Sequence, residues 1–414
     1  MHVASALLLA GLLGVWAIRG DAEIAASLLA RAASDAVSDH LFGVVPLFVL
    51  MGQLVATADI GRDCYRAAER LFRGLPGGLG VATVVANAVF AAVTGISIAS
   101  AAVFTRVAVP EMLAMGYRPA FAVGVVAGSS ILGMLIPPSL LMIVYAFLAE
   151  QSVRAMFLAG IVPGLAMALV FSAGILAAAR LAPGLVQERR PETAAAGLGA
   201  LEGLRLLAPV LLLVLLVLGG IYGGLFTATE GGAVGATGAF LLALARRRLD
   251  RARLWQVLVE TGQVTAAVLF LIVAASLYTR MLALAGLPEL ALAALRSTGL
   301  DATGFLLAHL AIVLLLGAIL DSTSILLVTV PLALPIAQAL GLDLVWLGIV
   351  TIVAVEIGLL TPPFGLSVYV VTGTLGDPRI GLGTVFAGAA PFALAMLLVL
   401  TLLLAFPGLA LLPL

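Results

Sequence analysis

An all-α polytopic membrane protein built from two inverted repeats is the fold class that this sequence predicts, and three observations predict it. The 414 residues are 63% hydrophobic and 10% charged, with mean hydropathy +1.24. Apolar runs of membrane-spanning length recur along the chain, and a pattern of Gly, Ser and Pro returns at one fixed offset. Soluble domains average about 45–50% apolar and about 25% charged residues. No soluble core absorbs the excess, so lipid is the solvent in which the chain must be read.

A bilayer core of about 30 Å requires about 20 apolar residues per helix. Runs between charged or turn-forming breaks give nine crossings, near 3–18, 41–58, 120–149, 157–180, 206–225, 229–246, 261–285, 345–375 and 384–411. The first run lacks a basic leader and a small-residue cleavage site, so it reads as a membrane helix rather than a signal peptide. Two further stretches, 79–115 and 303–343, are interrupted midway by polar residues, with arms of about 15 residues, short for a span. Both read as re-entrant hairpins, whose irregular tips are tolerated only where protein or a cavity surrounds them. All 21 basic residues are Arg, balanced by 21 acids, which leaves no nucleic-acid footprint. With the amino terminus inside, 15 of the 21 fall in cytoplasmic loops, as the positive-inside rule requires. Polar residues at 185–203 form a linker between halves. The expected organisation is scaffold helices and an arm over 1–78, a first transport repeat over 79–155, scaffold helices over 156–302, a second transport repeat over 303–376 and a C-terminal helix over 377–414.

The duplication is legible at an offset of 225 residues, which pairs Ser97 with Ser322, Pro110 with Pro335, Gly116 with Gly341, and Gly133, Pro137 and Pro138 with Gly358, Pro362 and Pro363. With the crossings above, the first hairpin enters from the cytoplasmic side and the second from the opposite side. That is the inverted arrangement common among secondary transporters. Ser97 and Ser322 are therefore expected to approach one another near mid-membrane.

The polar tips are Thr94 to Ser97 and Asp321 to Thr323. Each is followed by a helix carrying a Pro-Pro pair, in G-M-L-I-P-P-S and G-L-L-T-P-P-F-G. A proline removes an amide donor and collides with the carbonyl one turn back, so consecutive prolines unwind the helix and free carbonyls. A hard cation such as sodium needs several oxygen ligands, while half-helix amino ends attract anions. The expected cation-binding, substrate-facing residues are Thr94, Gly95, Ser97, Gly133, Ile136 and Pro137 in the first repeat. Those of the second are Asp321, Ser322, Thr323, Gly358, Thr361 and Pro362. The competing reading of each break is a simple proline kink. Asp321 lies in an apolar stretch, where a buried carboxylate costs about 2.5–3.5 kcal/mol and so signals function. Glu356 has three open readings: cation ligand, partner of an Arg, or cap of an unwound segment. His309 reads as a packed helix residue, Arg106 as snorkelling, and Glu230 as a helix cap. Cys64 cannot form an internal disulfide, and its charged surroundings place it in a loop. Three His and one Cys form no cluster, which disfavours an enzyme or a transition-metal centre. A channel fits less well than a transporter, because closed hairpins beside broken helices suit occlusion.

At these motifs the chain resembles the large membrane subunit of tripartite ATP-independent periplasmic (TRAP) transporters. The likeness runs through P-L-F-V-L-M-G-Q-L at Pro46, L-P-G-G-L at Leu75, V-P-E-M-L-A-M-G-Y from Val109, G-G-I-Y-G-G-L-F-T-A-T-E, D-S-T and both Pro-Pro motifs. It implies a sodium-driven importer in the bacterial inner membrane, with Na+ as coupling ion. Its carboxylate substrate would arrive on a periplasmic binding protein, and a small four-helix membrane subunit would complete the complex. It also implies an elevator mechanism in which both hairpins and both broken helices move against a scaffold. Ile96 departs from the hydroxyl usual at the first tip, Ala354 stands where many members have Asn, and the chain begins later than usual. The alternative is a stand-alone inverted-repeat anion and sodium symporter, distinguished by whether genes for the two partners lie alongside.

Overall fold

The computed structural model describes residues 3–38, 40–186, 200–287, 289, 290, 293, 299 and 301–414; the central part of the linker, 187–199, lies outside them. The described residues are helical without strands. Seven of their helices are long and apolar enough to cross a bilayer, or nine if each of two bent pairs counts as one span. Two expected crossings take a shorter form. The first run is a helix of 17 residues, Val3–Arg19, and 345–375 is divided into Leu344–Gly358 and Leu366–Leu375.

The first hairpin has arms Gly78–Thr94 and Ser97–Ala114; the second has arms Ala302–Gly317 and Ser322–Ala339. These arms of 16–18 residues are longer than expected, because only two residues, Gly95 and Ile96, separate the first pair. Gly95 makes that turn in the left-handed region, φ +63°, where an L side chain is strained. Two helices went unread in the sequence, Ala22–Ser38 and Ile60–Phe72. The second is amphipathic. Arg62, Arg66 and Arg70 recur every four residues on its exposed side, while Ile60, Cys64, Tyr65 and Ala68 are buried. Cys64 is thus 1% exposed inside a helix and not in a loop: its charged neighbours occupy the opposite face.

Element boundaries repeat at the sequence offset. Adding 225 to Ser97–Ala114 gives 322–339, the observed second arm of the other hairpin, and adding it to Val3–Arg19 gives 228–244, within Ala228–Ala245. Gly116 and Gly341 end equivalent arms with φ of +79° and +68°. Packing repeats as well: helix Val3–Arg19 lies on Arg251–Leu284, and helix Ala228–Ala245 on Val44–Thr57. Small residues bring these axes close. Gly11 and Gly14 abut Leu277 and Met281, and Gly232 and Gly235 abut Leu47 and Met51. In the centre the repeats interlock. Leu366–Leu375, from the second broken helix, packs on the first hairpin's Ser97–Ala114, and Leu140–Leu148, from the first, packs on Ser322–Ala339. Helices Val153–Leu181 and Leu382–Ala405 close around this centre.

Candidate functional site

The expected unwinding is present in both broken helices. Helix Leu132–Leu135 ends before Pro137, and Leu140 resumes it; Leu344–Gly358 ends before Pro362, and Leu366 resumes it. The two prolines of the first break remove the donors that would serve the carbonyls of Gly133 and Met134. The Ser139 hydroxyl donates to the Met134 carbonyl at 2.5 Å. In the second break the Thr361 amide donates to the Gly358 carbonyl at 3.0 Å, and its hydroxyl to the Ile357 carbonyl at 2.6 Å. Each break is also pinned to the tip of its own repeat. The Leu140 amide donates to the Gly95 carbonyl at 3.2 Å, and the Phe364 amide to the Ala318 carbonyl at 3.1 Å.

Glycines set how closely the pieces approach. A Cβ on Gly133 would lie 2.9 Å from the Ile96 carbonyl carbon, and one on Gly358 would lie 2.4 Å from the Gly317 Cα. Only backbone without a side chain fits there. Gly52, from the P-L-F-V-L-M-G-Q-L motif, abuts the Thr94 backbone, and a Cβ there would come within 2.9 Å of its carbonyl oxygen. The Thr94 hydroxyl donates to the Phe90 carbonyl within its own helix at 3.0 Å. Ile96 precedes the second arm in extended conformation, φ −138°, where it supplies no side-chain cap.

The two repeats meet at Glu356. Ser97 Oγ donates to Glu356 Oε2 at 2.8 Å, and Ser322 Oγ to Glu356 Oε1 at 3.4 Å. The two serines that the offset pairs thus approach one another, each on a different oxygen of one carboxylate. Each opens its helix, so two positive amino ends converge on that carboxylate. Glu356 is 1% exposed, Ser97 0% and Ser322 6%. Among the described residues no Arg pairs with Glu356. Of the open readings, the Arg partner is therefore the one this geometry does not supply.

Asp321 differs from expectation. It is exposed rather than buried, and it caps helix Ser322–Ala339 by accepting from the Ser324 amide at 3.1 Å and hydroxyl at 2.5 Å. The apolar stretch ends at the tip, so its apolarity did not imply burial there. Thr323, Ile136 and Thr361 are half-buried, and Pro137 is buried whereas Pro362 is exposed. The first break is enclosed by protein and the second is open. His309 is a packed residue, its Nε2 3.1 Å from Thr351 Oγ1 and its ring stacked on Phe305. Glu230 completes a capping box with Thr227, and Arg106 is exposed.

The sequence reading missed that Glu356 joins both tips. The available signal was its position two residues before Gly358, inside the duplicated break, with no counterpart in the first repeat, where Ile131 stands.

Comparison with known proteins extends this picture. The family model "Tripartite ATP-independent periplasmic transporter, DctM component" matches residues 1–409. The C4-dicarboxylate TRAP transporter large permease protein DctM of Pseudomonas aeruginosa is 35% identical over 370 residues, covering 89% of this chain and 84% of that one. The sialic acid TRAP transporter large permease protein SiaM of Vibrio cholerae is 32% identical over 371 residues, covering 89% and 84%. The 2,3-diketo-L-gulonate TRAP transporter large permease protein YiaN of Escherichia coli is 29% identical and covers 100% of this chain and 95% of its own. Among solved structures, the YdaH transporter of Alcanivorax borkumensis superposes with a TM-score of 0.66 at 16% identity, over 94% of this chain and 90% of that one. MtrF of Neisseria gonorrhoeae superposes with a TM-score of 0.62 at 12% identity, over 98% and 93%. At such identity these two likenesses concern the fold alone. With helices long and apolar enough to span, two hairpin tips that meet on one carboxylate of a broken helix, and a family match along nearly its whole length, the chain belongs to the DctM family of TRAP large permeases, multi-pass membrane transport proteins rather than enzymes, whose family implies a small membrane subunit and a periplasmic binding protein as partners.

Proposed function

We propose that this permease is a sodium-coupled importer of an organic carboxylate in the bacterial inner membrane, receiving substrate from a periplasmic binding protein and working beside a small four-helix subunit. The observation that carries the reading is the convergence of Ser97 and Ser322 on Glu356. A carboxylate beside two interrupted helices concentrates negative charge and carbonyl oxygens where a hard cation binds. The amino ends of the half-helices provide for an anionic substrate group. One cation site would comprise Thr94, Gly95, Ser97, Gly133, Ile136 and Pro137, the other Asp321, Ser322, Thr323, Gly358, Thr361 and Pro362. The substrate carboxylate would lie between them. The substrates named for the relatives, C4-dicarboxylates, sialic acid and 2,3-diketo-L-gulonate, all carry carboxylates and support that class here.

The repeats 79–155 and 303–376 would move together against the remaining scaffold as an elevator. Two sodium ions entering through 100 mV contribute about 4.6 kcal/mol before any concentration gradient, at about 2.3 kcal/mol per charge. A monocarboxylate returns one such increment, so net positive charge enters per cycle. The test is uptake into liposomes containing both membrane subunits, with loaded binding protein outside and a potassium diffusion potential imposed. Uptake accelerates when the interior is negative and rises with the second power of sodium. Ser97→Ala shifts the sodium activation curve to higher concentration. Sodium-independent uptake overturns the reading.

A further inference from the structure

An apolar groove of about 290 Å³ lies between helices Val153–Leu181 and Leu382–Ala405 and the start of the first broken helix, at the arginine-rich end of the molecule. Phe121, Val170, Ile175, Pro391 and Ala395 line it, and Arg118 is the one charged residue of its lining. We propose that this groove binds an anionic phospholipid, with the phosphate at Arg118 and an acyl chain along the apolar lining.

Two of its walls are bilayer-spanning helices of 29 and 24 residues, so an occupant arrives from the lipid phase. The Arg118 guanidinium is exposed and holds only the Gly184 carbonyl, at 3.4 Å; no carboxylate pairs with it among the described residues. A guanidinium left with free donors is the side chain best suited to a phosphate. Arg118 also precedes helix Pro119–Ser130, whose first-turn amides at Ala120 and Phe121 have no acceptor within the helix, and both residues line the groove. The arginine-rich side faces the leaflet that carries anionic lipids. Charge and apolar length thus occur in the order in which a phospholipid presents them.

Gly174 supplies the second handle, because it lines the groove and a Cβ added there meets nothing within 4 Å. The full chain is purified, stripped of lipid and titrated with phosphatidylglycerol or phosphatidylethanolamine of the same acyl composition, with binding counted by native mass spectrometry. Wild type binds phosphatidylglycerol about tenfold more tightly, Arg118→Gln lowers it to the phosphatidylethanolamine level, and Gly174→Phe removes both. Equal binding of the two lipids by wild type, or undiminished phosphatidylglycerol binding by both variants, overturns the proposal. So does a crosslink showing that residues 187–199 fill the groove in lipid-free protein and persist there with lipid. Thermal unfolding of each variant at the wild-type midpoint establishes that loss of lipid is not loss of fold.

Discussion

The joint at Glu356 can be weighed by a double-mutant cycle. Hydrogen bonds between membrane helices average about 0.6 kcal/mol and reach about 1.7 in such cycles, while bonds to charged acceptors run about 1.5–3 kcal/mol in proteins generally. The Ser97 bond, at 2.8 Å, has ordinary O–H···O length; the Ser322 bond, at 3.4 Å, is well beyond the usual 2.5–3.0 Å. The coupling between Ser97→Ala and Glu356→Gln should therefore reach about 1.5 kcal/mol, near the membrane ceiling, and that between Ser322→Ala and Glu356→Gln about 0.5 kcal/mol or less. The single Glu356→Gln change should cost less than Glu356→Leu, because the amide oxygen still accepts from one serine. Unfolding free energies of wild type, the three single variants and the two double variants, measured in mixed detergent micelles, give both couplings. A Ser322 coupling equal to or larger than that of Ser97, or two couplings indistinguishable from zero, would refute the joint.

Gly52→Leu should abolish uptake while the protein stays folded, since its Cβ would press on the Thr94 carbonyl at 2.9 Å and the larger side chain wedges the first tip; unchanged uptake would remove Gly52 from that contact. Asp321→Asn should keep stability within about 0.5 kcal/mol of wild type, because Asn caps a helix as well as Asp, whereas Asp321→Ala costs about 1 kcal/mol. If Asp321 ligates sodium, the Asn variant nonetheless loses sodium affinity; retained sodium activation in both variants assigns it to capping alone. A cysteine at Ile319, which is 60% exposed, should react with a thiol reagent far faster than one at its repeat partner Thr94, which is 3% exposed. Native Cys64, 1% exposed, contributes little background, and equal rates at the two positions would contradict the open second tip.

Much of this architecture was legible in the chain. The spans follow from composition, and the hairpins and breaks from residues that interrupt apolar runs, where tolerance for polar backbone is narrow. The duplication was readable because Pro-Pro pairs are rare enough to be informative at one offset. What was illegible depended on distance or on exposure. Ser97 and Glu356 are 259 residues apart, and no local pattern states that a carboxylate in the second repeat will accept from a hydroxyl in the first. Asp321 was misjudged because burial was inferred from neighbours along the chain, whereas the tip projects from the packed centre. Helix Ile60–Phe72 escaped because its polar face lowers its mean hydropathy, although the four-residue spacing of Arg62, Arg66 and Arg70 carries the signal.

The two repeats share their local bonds and differ in their surroundings. Each tip is tied to the restart of its own broken helix by one backbone hydrogen bond, of 3.2 and 3.1 Å, so the local construction of the two sites is alike. Yet Gly52 on helix Val44–Thr57 covers Thr94, while Ile319, Asp321 and Pro362 are exposed. The unequal exposure goes with two differences, the helix Val44–Thr57 packed over the first tip and the longer turn of the second, four residues between its arms against two. On the proposed elevator the first of these is the transported unit's position: displacing the repeats along Val44–Thr57 would uncover one tip and cover the other without breaking the tip-to-break bonds. The Glu356 joint supports the same conclusion, because a bond from each hairpin to one side chain resists separate movement of the two tips. Opening on alternate sides then requires the hairpins to travel together, which makes the contact at Gly52 and Thr94, rather than either hairpin turn, the place where a substitution should arrest transport.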